Sequence, residues 1–252
     1  HMRALACTAA IFVDAAVQSA GDGVYTLATR PFGAVKRLCP GVRFYNQPIG
    51  AAATGVLVGP DLLLTAAHVI RRVPADRVRA VFGFHMDNPF VARERIPAAD
   101  VYRVTEVVAR GEGQPPRADW ILLRLDRRAD DRPFADLNPD RPLLPGQPIY
   151  TVGHPMGLPV KLAGNARVLA QGDDDIFPAN LDVFPACSGS PVFNADTHAL
   201  EGIVLADPKL DHFIPVDGCY VHATFPDDDS VGNQHLRARH FADAVRAAAQ
   251  TT

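Results

Sequence analysis

Short hydrophobic runs separated by glycine, proline and aspartate follow one another along most of the chain. In the first half these runs are TGVLVG (54–59), LLLT (62–65), VRAVFGF (78–84), VYRVTEVVA (101–109) and WILLRL (120–125). In the second half they are PIYTVG (148–153), VKLAGNARVLA (160–170), PVFN (191–194), LEGIVLA (200–206) and CYVHATF (219–225). Runs of this length, rich in Val, Ile, Leu and Phe, are typical of strands. The pattern predicts an all-β fold, either barrels or a sandwich.

Two segments depart from the strand pattern. Residues 126–147 are polar and rich in proline, which is typical of a linker between two sets of strands. In the last stretch, NQHLRARHFADAVRAAAQ (233–250), the apolar residues recur at helical spacing, and Asn233 stands where a helix cap is favoured. This stretch predicts one C-terminal helix.

Composition narrows the class of protein. The chain has 252 residues, 48% hydrophobic and 21% charged, which is ordinary for a soluble globular protein. Its net charge of −3 and the lack of a Lys/Arg block predict no nucleic-acid partner. Because no apolar run approaches about 20 residues, no membrane span is predicted. His1-Met2 is typical of an expression remnant and carries no weight for the fold.

The cysteines and the N-terminus bear on the cellular compartment. Four cysteines, with no CxxC pair and no metal-ligand spacing, favour a reducing, cytoplasmic environment, although two bridges remain arithmetically open. Residues 3–20 resemble a leader peptide, which would mean a secreted or periplasmic protein. Asp14 interrupts that apolar patch, and a strand over Ala10–Val13 docked on the body is the favoured interpretation.

Three residues far apart in sequence suggest nucleophilic catalysis. His68 follows a hydrophobic run, Asp119 directly precedes one, and Ser188 lies among small residues in ACSGSPVF. A serine nucleophile needs a base, a carboxylate that orients the base, and N–H donors for the oxyanion. Each residue alone is more typical of a surface histidine, a turn aspartate or a loop serine. Together they supply all three side-chain roles in the order His, Asp, Ser.

These motifs resemble those of a known family. TAAHV, ADWILLRL and SGSPVFN are similar to the histidine, aspartate and serine motifs of bacterial trypsin-like serine proteases of the chymotrypsin fold, nearest the V8-like branch with its SGSP motif. The resemblance covers roughly residues 40–225 and implies an all-β fold of two six-stranded antiparallel β-barrels with a C-terminal helix. The expected organisation is an N-terminal extension packed on the body (1–38), a first barrel (39–130), an inter-barrel linker (131–147), a second barrel (148–230) and a C-terminal helix (231–252).

The resemblance also implies roles for individual residues. His68 would be the general base, Asp119 its orienting acid and Ser188 the nucleophile, with an oxyanion hole formed by the N–H groups of Ala186 and Ser188. Asp182 would lie at the floor of the specificity pocket and favour cleavage after Arg or Lys, or it is a buried or capping aspartate. The expected partner is a protein or peptide substrate. No cofactor or metal is expected.

Two departures from the family pattern leave an alternative open. ACSG replaces the usual GNSG or GDSG, so an unusual φ at Ala186 would add strain of about 1–3 kcal/mol. Cys187 stands where animal trypsins keep the aspartate that pairs with a new N-terminus, so that activation switch would be absent. The alternative is a weakly active or inactive protease fold that serves as a binding module, with a regulatory partner protein.

Overall fold

The computed structural model describes residues 1–71, 73–170, 175–206, 212–224, 226 and 232–250. The strands of the first half are β1 (Thr8–Val13), β2 (Val17–Ser19), β3 (Val24–Leu27), β4 (Arg30–Pro31), β5 (Pro48–Ile49), β6 (Ala53–Leu57), β7 (Leu62–Thr65), β8 (Val78–Val81), β9 (Met86–Asn88), β10 (Val91–Ala92), β11 (Arg95–Pro97), β12 (Val101–Arg110) and β13 (Ile121–Leu125). Those of the second half are β14 (Pro148–Gly153), β15 (Lys161–Arg167), β16 (Ile176–Ala179), β17 (Pro191–Asn194), β18 (Leu200–Ala206), β19 (Phe213–Val216), β20 (Cys219–His222) and β21 (Asn233–Arg237).

Helices are few and short. They are α1 (Met2–Cys7), α2 (Phe32–Lys36), α3 (His68–Arg71) and α4 (Arg239–Gln250), with 3-10 turns at Asp14–Ala16, Ala75–Arg77, Ala98–Asp100 and Pro155–Gly157. Within the described residues, none of the helices combines the length and the apolar character needed to cross a bilayer. The described chain is therefore dominated by strands, as the hydrophobic runs predict.

The first half closes into a six-stranded antiparallel barrel. Its strand order is β1-β6-β7-β13-β12-β8. All four residues of β7 are buried, as are all five of β6, because their side chains meet the barrel interior on one side and neighbouring elements on the other. Burial on both sides explains why these strands appear in sequence as continuous hydrophobic runs.

The second half forms a six-stranded sheet that curls toward closure. Its order is β15-β14-β17-β18-β21-β16, and the two outer strands approach each other through a bridge between Val168 and Ala179. The N–H of Leu169 also donates to the carbonyl of Pro178 (3.0 Å). The sheet is thus a half-barrel beside a closed barrel, and the predicted fold of two six-stranded units with a C-terminal helix is confirmed.

The structure differs from the predicted boundaries at both ends. Residues 8–13 are not part of an extension outside the first barrel, because β1 pairs with both β6 and β8 and closes it. The barrel therefore begins well before residue 39, and a leader spanning residues 3–20 would include one of its strands. At the other end, residues 233–237 are a strand rather than the start of a helix. Asn233 caps no helix, since α4 begins at Arg239.

The segment between the two units lies on the surface but is anchored. Residues 126–147 contain no helix and no strand, and the predicted linker 131–147 falls within them. Ala135 and Leu143 are buried, and Leu137 bridges to Leu200 of β18. The linker is therefore packed against the body along its length.

One disulfide links two segments of the described chain. Cys39 and Cys219 are bonded, whereas Cys7 and Cys187 are buried and take no part in a disulfide. The bond joins the segment after α2 to the β19–β20 hairpin, alongside a hydrogen bond from the N–H of Cys39 to the carbonyl of Tyr220 (2.9 Å).

Candidate active site

His68 occupies the turn where β7 leaves the first barrel. After Thr65 the chain turns through two alanines, and His68 begins the single-turn helix α3. Its backbone N–H donates to Asp119 Oδ1 (2.8 Å), and its Nδ1 lies 2.7 Å from Asp119 Oδ2. Since a carboxylate accepts hydrogen bonds, Nδ1 carries a proton, which leaves Nε2 as the nitrogen that can accept one when the ring acts as a base.

Strand pairing explains why Asp119 meets His68. In the β7–β13 ladder Ile121 lies opposite Thr65, so continuing the register by two residues brings Asp119 opposite Ala67. The carboxylate is largely buried, with 11% of the side chain exposed. Two elements far apart in sequence therefore place an acid beside the imidazole through backbone geometry alone.

The charge state of Asp119 results from opposing effects. Burial raises the pKa of this carboxyl, but the hydrogen bonds and charge of His68, together with the Arg71 guanidinium, outweigh it and hold the pKa below its usual value. Arg71 Nη2 lies 3.6 Å from Asp119 Oδ1. Asp119 is thus an anion at neutral pH, as an orienting acid must be.

Ser188 lies in the loop between β16 and β17, whose carbonyl groups are held from the first barrel and from the turn after β14. The carbonyl of Pro185 accepts from the N–H of Met156 (2.6 Å), that of Ala186 from the Thr54 hydroxyl (3.0 Å), and that of Ser188 from the N–H of Thr54 (3.1 Å). Every one of these partners lies outside the loop. The loop backbone is therefore shaped by its surroundings.

The N–H groups of the same loop differ in whether they have an acceptor. Those of Cys187, Gly189 and Ser190 donate to backbone carbonyls at 2.8–3.0 Å. In the part of the chain that the structure describes, the N–H groups of Ala186 and Ser188 have no acceptor, and neither does that of Phe184. Ala186 and Ser188 are the pair predicted for an oxyanion hole. Ala186 also has a positive φ of 72°, the strained conformation that its ACSG setting raised as a concern.

One cleft of about 290 Å³ brings the three candidate residues together. His68, Asp119 and Ser188 all line it. Its other described walls are Val183, Phe184, Pro185, Val204, Leu205 and His212. A nucleophile, a base and an acid therefore share one solvent-accessible groove between the two strand systems, with apolar walls on the side of the second unit.

Asp182 does not join this group. It is exposed, while its neighbour Val183 is buried and faces the cleft. The alternation of side chains along this extended segment sends Asp182 away from Val183. The structure therefore does not bring the predicted specificity residue to the cleft, and the ring of His212, packed on Phe184 at 5.2 Å, forms part of the wall instead.

Sequence reasoning missed two residues that contact this machinery. Thr54 makes hydrogen bonds to the Ser188 loop, but its partners are more than 100 residues away in sequence, so no local signal marks it. Arg71 follows His68 by three residues on α3. Residues three apart on a helix face the same side, so that spacing was an available signal.

No arrangement for a metal is present in the described residues. Nowhere in those ranges do three or more His, Cys, Asp or Glu side chains gather as ligands would. The chemistry available in the cleft is that of a histidine, a carboxylate, a hydroxyl and two backbone N–H donors.

Comparison with known proteins agrees with this fold. The chain is similar to the solved structure of the VesB protease of Vibrio cholerae, with a TM-score of 0.55 and 14% identity over 94% of this chain and 62% of that one. At this identity the likeness shows the fold alone, and the alignment spans less than two thirds of the VesB chain. No curated protein matches the sequence. The model of the trypsin-like peptidase domain matches residues 53–203, more than half of the sequence, and the chain therefore belongs to that family.

Proposed function

We propose that the protein is a serine endopeptidase that cleaves protein or peptide substrates through an acyl-enzyme. The observation that carries this proposal is the hydrogen-bonded His68–Asp119 pair in the same cleft as Ser188. Buried structural histidines also pair with carboxylates, but such a pair has no need of a hydroxyl and two unpaired N–H groups beside an open groove.

The proposed reaction gives the hydroxyl, the imidazole, the carboxylate and the two N–H groups one role each. Ser188 Oγ attacks the carbonyl carbon of the scissile bond while His68 Nε2 takes the hydroxyl proton. Asp119 holds the ring tautomer and stabilises the imidazolium. The N–H groups of Ala186 and Ser188 donate to the oxyanion of the tetrahedral intermediate. His68 then gives its proton to the leaving amine, which departs and leaves an ester on Ser188. Water takes the place of the amine in the second half of the reaction. It attacks the ester while His68 takes its proton, and His68 then returns the proton to Ser188 Oγ.

The alternative, an inactive binding module, arises from the ACSG departure. Its physical basis would be an oxyanion hole in which the Ala186 N–H has turned away to another acceptor. Two observations favour activity instead. The Ala186 N–H has no acceptor among the described residues, and the two peptide groups that flank Ala186 are both held by hydrogen bonds from neighbouring segments.

The preferred side chain before the scissile bond is a separate question. Asp182 is exposed and outside the described lining of the cleft, so a substrate Arg or Lys in that cleft would not meet its carboxylate. Burying a cation without a partner costs several kcal/mol. That the chain is nearest to the V8-like branch stays a prediction. The existence of a regulatory partner protein also stays a prediction.

A fluorophosphonate probe tests the proposal directly, because it phosphonylates only a serine whose oxygen is activated by a base. We expect labelling of the wild type at Ser188, none in Ser188→Ala or His68→Ala, and unchanged labelling in Ser19→Ala, which alters an exposed serine. Casein hydrolysis should follow the same order. A wild type that is neither labelled nor able to hydrolyse casein between pH 6 and 9 would refute the proposal.

A further inference from the structure

Thr54 is a buried residue whose polar groups are all engaged across the two strand systems. It belongs to β6 of the first barrel and is fully buried. Its hydroxyl donates to the carbonyl of Ala186 (3.0 Å) and accepts the N–H of His154 (3.0 Å), which follows β14. Its backbone N–H donates to the carbonyl of Ser188 (3.1 Å), and its own carbonyl accepts the Thr65 hydroxyl (2.7 Å).

The geometry of the peptide group links these bonds to the orientation of the Ala186 N–H. Each peptide group is planar and trans, so its N–H points opposite to its C=O. The N–H of Ala186 shares a plane with the carbonyl of Pro185, which Met156 holds. The next plane, with the carbonyl of Ala186, is held by the Thr54 hydroxyl. The N–H of Cys187, on the opposite side of this second plane, donates to the carbonyl of Phe184 (3.0 Å). Ala186 lies between the two planes at a φ of 72°, and these hydrogen bonds together hold it in that conformation.

A conformation of this kind does not persist without support. An alanine in the left-handed region costs about 1–2 kcal/mol relative to a helical or extended one. A neutral hydrogen bond contributes about 0.5–1.5 kcal/mol. The bond from Thr54 is therefore of the same size as the strain that it opposes, and its loss would leave the peptide between Ala186 and Cys187 held on one side only, by the bond from the Cys187 N–H to the carbonyl of Phe184.

We propose that Thr54 is a positioning residue that holds Ala186 in its left-handed conformation through its hydroxyl, and thereby keeps the Ala186 N–H directed at the oxyanion. The inference rests on the proposed function for its catalytic consequence. Its structural consequence, a fixed loop over residues 184–190, stands by itself. The Thr54 hydroxyl is a side-chain contact from the first barrel to this loop.

The test compares Thr54→Val, which keeps the shape and loses the hydroxyl, with Thr54→Ser, which keeps the hydroxyl. Thr8→Val serves as a matched control, since Thr8 is also buried and its hydroxyl also donates to a backbone carbonyl, that of Ala4 (2.8 Å). We expect kcat of Thr54→Val to fall by about 10²-fold with KM little changed, as for the loss of one oxyanion donor. Thr54→Ser should stay within about threefold of the wild type, and Thr8→Val should keep full activity.

Hydrogen exchange of the backbone amides supplies a readout that does not depend on turnover. In Thr54→Val the protected amides of Cys187, Gly189 and Ser190 should exchange faster than in Thr54→Ser or Thr8→Val. If the wild type proves inactive, this comparison alone decides the structural inference. Equal exchange in all three variants, or equal loss of kcat in Thr54→Val and Thr8→Val, would overturn it. If Thr54→Val does not fold, failure of Thr54→Ser to retain slow exchange and activity would overturn it as well.

Discussion

Gly189, next to the candidate nucleophile, lies where packing leaves no room for a side chain. Its φ is +81°, and a Cβ built there would meet the Thr65 hydroxyl and the Thr54 carbonyl oxygen. Gly146 has nearly the same φ, +83°, yet a Cβ added to it would find no other atom within 4 Å. The two glycines share one backbone requirement and differ only in how closely the first barrel approaches.

We expect Gly189→Ala to cost far more stability than Gly146→Ala. The shared backbone strain is about 1–2 kcal/mol, and overpacking adds roughly 1–3 kcal/mol at Gly189 alone. Denaturant unfolding measures both, and the probe reaction at Ser188 should be lost only in Gly189→Ala. Equal free energies of unfolding for the two variants would show that the serine loop can move away from the first barrel.

Residues with distinctive chemistry could be predicted from the sequence, whereas residues that only position them could not. The motifs around His68, Asp119 and Ser188 are local, and the structure brings all three to one cleft. Asp182 is predicted from its offset from Ser188, but an offset does not fix the side to which an extended segment turns its side chains. Thr54 acts through partners at sequence separations of 132 and 100, which no local pattern encodes.

At the scale of elements, helix α4 packs against the segment that carries Asp119. Phe241 of α4 is fully buried and packs against Trp120 with ring centroids 6.2 Å apart. Trp120 directly follows Asp119 in sequence. The C-terminal helix therefore backs the segment that presents the carboxylate to His68.

Phe241→Ala should reveal this support. Removing a fully buried phenylalanine costs about 3–5 kcal/mol, and the cavity would lie under Trp120, so probe labelling of Ser188 should also slow. Phe90→Ala is the control, because Phe90 is 92% exposed and its truncation should change stability by no more than about 0.5 kcal/mol. Urea unfolding and labelling rates measure both effects. Slower labelling in Phe90→Ala, or no slowing in Phe241→Ala despite the loss of stability, would contradict the proposed coupling.

Two strands were predicted in the wrong place or as the wrong element. In β1, TAAIFV, a strand over Ala10–Val13 was expected but outside the first barrel, and the burial of five of its six residues shows that it belongs inside it. In β21, NQHLR, polar residues suggested a helix cap. Strand pairing with β16 and β18 holds it instead, and the Asn233 side chain donates to the carbonyl of Leu181 (2.6 Å). Long-range pairing overrides local preference in both cases.

At the scale of the whole molecule, the Cys39–Cys219 bond links an early segment of the chain to a late one that adjoins the cleft. It links residues 180 apart and fastens the β19–β20 hairpin, which begins directly after His212, to the segment that follows α2. The same hairpin packs through His222 and Phe213 on the buried ring of Phe32. The position of the cleft wall at His212 therefore depends on how the hairpin packs on Phe32, and the disulfide stabilises that packing.

Reduction of this bond should destabilise the protein and loosen that wall. Closing so long a loop restricts the unfolded chain, and bonds of this kind contribute about 2–5 kcal/mol. We expect a thiol reductant to lower the free energy of unfolding of the wild type and to slow probe labelling at Ser188. The double variant Cys39→Ser/Cys219→Ser should start at the lower stability and not respond to reductant. It retains Cys7 and Cys187, so a response of the double variant equal to that of the wild type would assign the effect to those thiols and rule out the bond as its cause.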